Sequence, residues 1–366
     1  MKIVYISNSI IPSRNANSVH VMNMCQAFAK NGHSVVLLAP NHKFLDKTVN
    51  IYDYYGVEKI FEIKYIDYKN IPKIWTFAYS LSVYSFLKKL EVDIIFGRDL
   101  RSCFLSSKLN KKINIYYESH KPYNKYNFID KILMKIMINS KNFKNLIVIS
   151  NALKQIYIKD GFNQNILKIA HDGANLPKDD MKIRSITRQS NRLKVGYTGH
   201  LYAGRGIDII IELANRLKNF EFHIVGGNEE DINYWKSQLE SNNLIFHGFV
   251  EPSEVYKYVN SFDILLAPYQ NKVSIAGKDD SSQYMSPLKL FEYMAAKKVI
   301  IVSDLEVIHE VLNETNSKLV KYDDIDAWEK AVLELSDMEL RNKLSQNAYD
   351  EFLKYFSWEE RAKNVI

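Results

Sequence analysis

The strongest constraint on the fold is an alternation of short apolar segments with helical segments, which occurs twice along the chain. In the first half, continuous apolar and β-branched runs predict strands, and these lie at 2–7, 34–40, 92–97, 113–119 and 145–150. Apolar residues at helical spacing between them predict helices at 18–33, about 74–90, 101–110 and 127–141. Apolar strands that alternate with helices are typical of a parallel sheet covered on both faces.

A polar stretch interrupts this pattern at 171–192. It contains Gly and Pro and has no sustained periodicity, which is typical of a linker. The alternation then restarts with "LKVGYTG" and continues through "DILLAP" to "VIIVSD". A chain of 366 residues also exceeds what one core usually organises. We therefore predict an α/β protein with two doubly wound Rossmann-like domains, at 1–175 and 193–349, joined by a linker at 176–192.

Cysteine content and apolar run length exclude several classes of protein. With only Cys25 and Cys103, the chain has no disulfide framework and no cysteine cluster for zinc or iron–sulfur. Its apolar runs are too short to cross a bilayer. The N-terminus "MKIVYISNSI" is typical of a first strand rather than a signal peptide. We expect a cytoplasmic protein.

Charge is distributed unevenly along the chain. Residues 1–175 carry 25 Lys and Arg against 12 Asp and Glu, a balance of +13, whereas residues 176–366 carry 24 against 30, a balance of −6. A basic half favours an anionic partner such as a membrane surface, a phosphorylated lipid or nucleic acid, with a solvated lysine-rich surface as the alternative. The basic, amphipathic segment 125–144 suggests peripheral contact with an anionic membrane, and a scaffold helix is the alternative there.

The loop "GHLYAGRGID" follows a predicted strand and contains Gly199, Gly204 and Gly206. Glycine lets a ligand approach the backbone, and loops at the carboxyl ends of parallel strands are where such sheets bind ligands. The guanidinium of Arg205 can grip a diphosphate in bidentate fashion. The spacing is neither G-x-G-x-x-G nor a Walker A loop, so an ordinary strand-to-helix turn is the alternative.

The segment "SPLKLFEYMAAKK" predicts the start of a helix that holds an unexpected carboxylate. Ser286 suits the N-cap and Pro287 suits the first helical position, so the amides of Leu288 and Lys289 would point out of the helix end. The helix dipole favours an anion there. Glu292, one turn later, is placed to accept hydrogen bonds from vicinal hydroxyls. The alternative is a partly exposed glutamate at the helix flank.

His120 follows the strand "INIYYES" at the carboxyl edge of the first predicted sheet. We expect its loop to face the cleft between the domains, opposite the diphosphate site. A histidine after a strand is more often a packed or capping residue, so both interpretations stay open.

These motifs resemble the family-four retaining glycosyltransferases of the GT-B fold. The resemblance rests on "GHLYAGRGID", "HIVGG", "HGFV", "SPLKLFEYMAAKKVII", "FSWEERAK", "ESH" and the loop after the first strand, and it covers nearly the whole chain. It implies two Rossmann-like domains that face each other across a cleft, with a C-terminal helix at about 350–366 that packs back on the first. It also implies transfer of a sugar from a nucleoside diphosphate sugar to a hydroxyl group, with retention of anomeric configuration.

The resemblance implies roles for individual residues. Arg205 binds the donor diphosphate, Glu292 binds the ribose and His120 contacts the donor sugar, and these three are the catalytic candidates. The residues implied to bind the donor are Gly199, His200, Arg205, Gly226, Gly248, Phe249, Val250, Ser286, Pro287, Leu288, Lys289 and Glu292. Within this set, the helix start contributes amides and 248–250 lines the base pocket.

Two positions depart from the family pattern. His200 stands where family members often have arginine, so Arg205 is expected to carry most of the phosphate charge. Tyr284 stands at the first position of the family's E-x7-E pair, of which Glu292 matches the second. That first glutamate commonly contacts the hydroxyls of the donor sugar, so the identity of the sugar stays open.

The acceptor is expected at two loops of the first domain, "NSIIPSRNANSVH" and "FGRDLRS". The candidates for contact with a glycan or lipid-linked acceptor are Asn15, Asn17, Ser18, Arg98 and Asp99. UDP is the preferred nucleotide and GDP the second. We expect no cofactor beyond the donor substrate, and no divalent metal, because no D-x-D run appears near the predicted donor site.

The predicted function is assembly of a bacterial surface polysaccharide or glycoconjugate, without a nucleic-acid partner. A nucleotide-sugar 2-epimerase of the same fold is one alternative, and it would turn over the donor without an acceptor. A non-enzymatic basic adapter that binds membranes or nucleic acid through residues 1–175 is another. A dehydrogenase is disfavoured because the loop after the first strand has no Gly, and a hydrolase because no flanking carboxylate pair is apparent.

Overall fold

The structure, a computed structural model, describes residues 1–43, 45, 48–69, 71, 72, 74–177, 191–275 and 279–366. The described chain divides into two units. One contains Met1–His171 and Trp358–Ile366, and the other contains Asp172–Ser357. The linker predicted at 176–192 falls outside the described residues over 178–190. Among the helices in the described ranges, none is both long enough and apolar enough to cross a bilayer.

The first unit contains a seven-stranded parallel sheet. Its strands are β1 (Lys2–Ile6), β2 (Ser34–Pro40), β3 (Glu62–Ile66), β4 (Ile94–Gly97), β5 (Asn114–Ser119), β6 (Phe143–Val148) and β7 (Leu167–Ile169). Its helices up to residue 159 are α1 (Ala16–Lys30), α2 (Ile51–Tyr55), α3 (Trp75–Leu87), α4 (Leu100–Ser106), α5 (Phe128–Ile138) and α6 (Asn151–Lys159). The strand order is β3-β2-β1-β4-β5-β6-β7, which is doubly wound.

The second unit contains a six-stranded parallel sheet in the order β10-β9-β8-β11-β14-β15. Its strands are β8 (Lys194–Thr198), β9 (Glu221–Val225), β10 (Leu244–Gly248), β11 (Ile264–Ala267), the short antiparallel pair β12 (Ser274–Ile275) and β13 (Asp279–Asp280), β14 (Val299–Ser303) and β15 (Lys318–Val320). Its helices are α7 (Ile207–Arg216), α8 (Glu229–Lys236), α9 (Pro252–Ser261), α10 (Leu288–Ala295), α11 (Ile325–Glu334) and α12 (Met338–Tyr355). The prediction of two doubly wound α/β domains is confirmed.

The last helix, α13 (Trp358–Val365), belongs to the first unit, where it packs against α1. Trp358 and Arg361 are buried in that position. The helix α12 runs through to Tyr355, beyond residue 349, where the sequence predicts the end of the second domain. The second unit therefore extends to Ser357.

Several predicted boundaries move for local reasons. The strand predicted at 145–150 ends at Val148, because the hydroxyl of Ser150 accepts a hydrogen bond from the amide of Leu153 (3.0 Å) and so begins α6. In the second unit, the sequence patterns predict none of the elements β12, β13, β15 and α11, nor most of α12. In the first unit, they predict none of α2, β3, α6 and β7. The strands β3 and β7 lie at the two edges of the sheet and keep partly exposed residues, so neither has a continuous apolar run.

Both sheets reverse their strand order at one point, between β1 and β4 in the first unit and between β8 and β11 in the second. In open parallel sheets, the loops that leave the carboxyl ends of the two strands at such a point flank a crevice. The loops after these four strands are therefore the places to look for ligand-binding groups.

Candidate functional site

In the second unit, the loop between β8 and α7 lies directly against the segment that follows β11. A Cβ atom at Gly206 would lie 1.8 Å from the carbonyl oxygen of Pro268, and one at Gly204 would lie 2.0 Å from the carbonyl oxygen of Lys272. Both glycines also have positive φ angles, so other residues would not fit. This close approach brings Arg205 next to Tyr269.

Arg205 is held at the edge of this crevice with part of its hydrogen-bonding capacity unused. Its Nη2 donates to the carbonyl oxygen of Ser274 over 3.4 Å, and its guanidinium carbon lies 5.6 Å from the centre of the Tyr269 ring. Its Nε atom is buried and has no hydrogen-bond partner among the described residues. A guanidinium with free donors beside a ligand crevice is suited to an anion.

The prediction that Ser286 caps the next helix is wrong. The amide of Asp172 donates to the Ser286 hydroxyl oxygen over 2.8 Å, so this hydroxyl is engaged elsewhere. The helix α10 begins at Leu288, with Pro287 at the capping position and no side-chain cap. Within the described residues, the amides of Leu288 and Lys289 donate to no acceptor. The positive end of this helix is therefore open to an anion.

Lys289 has the most unusual environment in this unit. Its side chain is 9% exposed, and Nζ lies 3.6 Å from the centre of the Tyr197 ring and 5.5 Å from that of Tyr269. Nζ has no hydrogen-bond partner among the described residues. It lies beside the strand-end loop, since a Cβ atom at Gly199 would be 2.9 Å from it. The amine is thus buried next to the crevice without a counter-charge in hydrogen-bonding contact.

The charges in this crevice influence one another. Burial lowers the pKa of Lys289 well below its usual range, Arg205 lowers it further, and Glu292 acts in the opposite direction. Burial raises the pKa of Glu292 to about 7, and Lys289 opposes this shift. Glu292 is three residues after Lys289 and therefore on the same side of α10. Its side chain is partly exposed, so the carboxylate can reach a ligand.

The remaining donor-side candidates lie at the carboxyl ends of β8, β9 and β10. The Gly226 amide donates to the Gly248 carbonyl oxygen over 2.7 Å, and a Cβ atom at Gly226 would be 2.2 Å from the Gly199 carbonyl oxygen. The ring of His200 stacks on Tyr202, with centroids 4.8 Å apart. Phe249 and Val250 follow β10 and are half-buried. The structure therefore places these residues along the same sheet edge as Arg205.

In the first unit, His120 belongs to a cluster that is centred on a buried carboxylate. Its Nε2 lies in hydrogen-bonding contact with Glu118 Oε1, and His20 Nε2 is 2.9 Å from the same oxygen. Arg361 of α13 reaches both carboxylate oxygens at 3.3 Å. Its Nε also donates to the carbonyl oxygen of His171 over 2.7 Å. His120 is the partly exposed member of the cluster, whereas Glu118 is 1% exposed.

The cluster keeps Glu118 ionised. Burial alone would raise the pKa of Glu118, but Arg361, followed by His20 and His120, outweighs burial and holds the pKa well below its usual range. Glu118 and Arg361 lie inside the quoted motifs "ESH" and "FSWEERAK", but the sequence analysis assigned a role only to His120. The available signal was a charged residue inside each motif.

The acceptor-side candidates lie at the point where the first sheet reverses, but three of them are used by the fold. Asp99 Oδ2 accepts from the amide of Ser102 over 3.0 Å and caps α4. The Ser18 hydroxyl donates to backbone carbonyls of the same loop, and Asn17 Nδ2 donates to a serine hydroxyl there. Asn15 is exposed, and Arg98 has an Nη1 without a hydrogen-bond partner among the described residues. Among the described residues, the exposed side chain of Asn15 and the Nη1 of Arg98 are thus acceptor-side groups that no side-chain hydrogen bond engages.

Two family models match this chain. The model for "Glycosyltransferase Family 4" matches residues 18–176, and the model for "Glycosyl transferases group 1" matches residues 192–338. A stretch of 124 residues is 28% identical to the putative teichuronic acid biosynthesis glycosyltransferase TuaH of Bacillus subtilis (strain 168). That match covers 33% of this chain and 29% of the relative.

Solved structures of similar fold cover almost the whole chain. A glycosyltransferase from Rickettsia africae ESF-5 matches with a TM-score of 0.73 at 15% identity, over 99% of this chain and 96% of that chain. Anabaena HepE in complex with UDP matches with a TM-score of 0.74 at 14% identity, over 100% of this chain and 98% of that chain. At such identities the likeness concerns the fold.

Proposed function

Since the chain belongs to glycosyltransferase family 4 and has the GT-B fold, we propose that it moves a sugar from a nucleoside diphosphate sugar to a hydroxyl group of a glycan or glycolipid. The anomeric configuration is retained and no divalent metal takes part. The product belongs to a bacterial surface polysaccharide or glycoconjugate, assembled on the cytoplasmic side of the membrane. The name of the Bacillus subtilis relative supports this setting, and the UDP held by the Anabaena neighbour supports UDP ahead of GDP.

The observation that carries the proposal is the pair of cations, Arg205 and Lys289, beside the uncapped end of α10. In this site the donor diphosphate accepts from the guanidinium, from the lysine ammonium and from the amides of Leu288 and Lys289. Charge-assisted hydrogen bonds of this kind contribute about 1.5–3 kcal/mol each. A buried amine without a counter-charge has the most to gain, because the phosphate supplies the missing partner.

Glu292 holds the ribose in this proposal. Its carboxylate accepts from the vicinal hydroxyls, one helical turn beyond the diphosphate, and the backbone at 248–250 lines the base pocket. Burial raises the pKa of Glu292 to about 7 and Lys289 opposes this shift, so hydroxyl groups that donate to the carboxylate would favour the ionised form that burial disfavours. Nucleotide binding and ionisation of Glu292 are therefore coupled.

Catalysis consists mainly of stabilising the leaving group. The bond between the anomeric carbon and the β-phosphate oxygen breaks, and its electron pair passes to the phosphate, where Arg205 and Lys289 stabilise the developing charge. The acceptor oxygen bonds to the anomeric carbon on the same face, and its proton passes to the departing phosphate. His120 contacts the donor sugar. Glu118 acts as a positioning residue, because it fixes the His120 ring through Nε2.

The donor sugar is recognised without the first carboxylate of the E-x7-E pair. Tyr284 occupies that position and is buried, with its hydroxyl donating to the carbonyl oxygen of Asp280 over 3.1 Å. A tyrosine that is engaged in this way offers the sugar no carboxylate. We infer that the sugar hydroxyls at this position are recognised by backbone groups or are not recognised at all.

A panel of UDP-, GDP- and ADP-sugars, screened by thermal shift and then by turnover, tests the proposal. A true donor raises the melting temperature of the folded chain, because it binds the native state. The gain should disappear in Arg205→Ala and persist in Arg216→Ala, an exposed arginine in the same unit that pairs with Glu212. Conversion of a donor to its isomer without any acceptor would overturn transfer in favour of epimerisation, and binding of none of the donors would overturn both.

A further inference from the structure

Two helices of the first unit, α3 and α5, both pack against α4 and place large apolar side chains in water. We call these residues the apolar face: Phe77, Leu81, Phe128, Ile129, Ile132 and Ile136. Phe128 and Ile129 are 78% and 61% exposed. The opposite side of α5 already buries Met134 and Met137 in the core, so the fold does not need the outer side to be apolar.

A single guanidinium joins the first turns of the two helices. Arg101 of α4 donates from Nε to Asp130 Oδ1 over 2.8 Å and from Nη1 to Thr76 Oγ1 over 3.0 Å. Thr76 precedes Phe77 in α3, and Asp130 follows Ile129 in α5. The exposed apolar residues of both helices thus flank one bridging side chain and belong to one surface.

The surface around the apolar face is strongly basic. Residues 101–144 contain ten Lys and Arg but only two acidic residues. Both carboxylates are engaged, since Glu118 is buried against Arg361 and Asp130 is paired with Arg101. The exposed lysines follow the ends of the helices, and they are Lys88, Lys89, Lys108, Lys111, Lys112, Lys141 and Lys144.

Topology places these lysines together. The helices α3, α4 and α5 each connect two parallel strands of one sheet, so each runs from the carboxyl edge of the sheet to its amino edge. Their C-terminal ends therefore meet at the amino edge. The result is an apolar face bordered at one end by seven exposed lysines, whose charge exceeds that of Glu91 and Asp93, the acidic residues that follow Lys89.

We propose that the apolar face and its lysine border dock onto the surface of an anionic lipid bilayer. Apolar side chains would enter the boundary between headgroups and acyl chains, and the lysines would meet the anionic headgroups. A second copy of the chain is a poorer occupant, because it would bring together two surfaces that both carry a net positive charge. Nucleic acid is poorer too, because four of the six side chains of the apolar face are aliphatic and offer no ring on which a base can stack.

Vesicle flotation of the full chain tests the proposal, with vesicles of phosphatidylcholine alone and of phosphatidylcholine mixed with phosphatidylglycerol. The chain should float with the mixed vesicles, and less so as salt is raised. The double variant Phe128→Ser, Ile132→Ser should bind about ten-fold more weakly or worse. Lys141→Gln and Lys144→Gln should each weaken binding about five-fold.

Matched controls come from the second unit. Leu333 is 49% exposed and Lys218 is also exposed, so Leu333→Ser and Lys218→Gln should float like the unmodified chain. Equal flotation with neutral and anionic vesicles would overturn the proposal, as would full binding by the double variant. A fall in melting temperature of the double variant would show that these side chains pack inside the fold. A lipid-free dimer that dissociates on Phe128→Ser would assign the face to a second copy.

Discussion

Each unit buries a charged side chain, and the two units treat that charge in opposite ways. Glu118 in the first unit is surrounded by Arg361, His20 and His120, all within ion-pairing distance. Lys289 in the second unit lies over aromatic rings and has no hydrogen-bond partner among the described residues. A buried charge without a partner costs several kcal/mol. We infer from this contrast that the charge of Glu118 is balanced within the fold, whereas Lys289 lacks a counter-charge until the proposed diphosphate binds.

The largest effect should follow from breaking the complete cluster. Arg361→Met leaves Glu118 buried without its main counter-charge, so the free energy of unfolding in urea should fall by about 3–5 kcal/mol. Arg216→Met removes only exposed ion pairs and should change it by less than about 1 kcal/mol. An unchanged free energy of unfolding in Arg361→Met would show that the ion pairs of Glu118 do not stabilise the fold.

The same cluster predicts a pH dependence of stability. The pKa of Glu118 is held well below its usual range in the folded chain, so its stabilising effect is present above the unfolded pKa of about 4.3 and is lost as pH falls towards the folded value. The difference in unfolding free energy between the unmodified chain and Arg361→Met should therefore shrink as pH is lowered below about 4.3.

The next effect concerns Arg205. Arg205→Ala removes a donor aimed at the charge that develops on the leaving phosphate, so kcat/KM should fall about 10²–10³-fold. Arg205→Lys keeps the charge and loses the bidentate geometry, so its activity should lie between the two. The melting temperature without ligand should stay close to that of the unmodified chain. Full activity in Arg205→Ala would show that the donor phosphate does not bind at Arg205.

Lys289→Met tests most directly whether the buried amine serves ligand binding or the stability of the fold. If the buried amine is reserved for phosphate, the variant should bind UDP about 10–100-fold more weakly in calorimetry. Its stability without ligand should be unchanged or higher, because an unpartnered amine is replaced by an apolar side chain of similar size. Normal UDP affinity combined with reduced stability would instead make Lys289 a structural residue like Arg361.

The smallest effect is the one that depends on pH. Because the pKa of Glu292 is about 7, the carboxylate is largely protonated at pH 6 and largely ionised at pH 8. The advantage of the unmodified chain over Glu292→Gln in binding a UDP-sugar should therefore grow about ten-fold at most across this range. Glu229→Gln, at the start of α8, is the control. A ratio of affinities that does not change with pH would exclude the carboxylate from ribose binding.

Sequence patterns predicted the structural features that depend on residues close together along the chain. Continuous apolar runs such as 34–40 identified the central strands, and the glycines around Arg205 identified a strand-to-helix loop, where ligand binding stays a prediction. The helix start near Leu288 was found within two residues. The predicted cap was wrong because Ser286 bonds to the amide of Asp172, a partner 114 residues away that no local pattern indicates.

Long-range pairing explains the other omissions. Glu118 and Arg361 are 243 residues apart, and neither "ESH" nor "FSWEERAK" indicates that the two motifs pair. Lys289 was assigned only a backbone role, because a lysine in a first helical turn is usually solvated. Its burial depends on Tyr197 and Tyr269, which come from two different strand ends and meet it only in the folded sheet.

The position of α13 has a consequence for synthesis on the ribosome. The segment that completes the first unit is encoded at the far end of the described chain, after the entire second unit. During translation, Glu118 is synthesised long before Arg361. Until α13 is made, the carboxylate of Glu118 lacks this counter-charge and stays exposed or protonated. The first unit can therefore reach its complete set of contacts only after α13 has been synthesised.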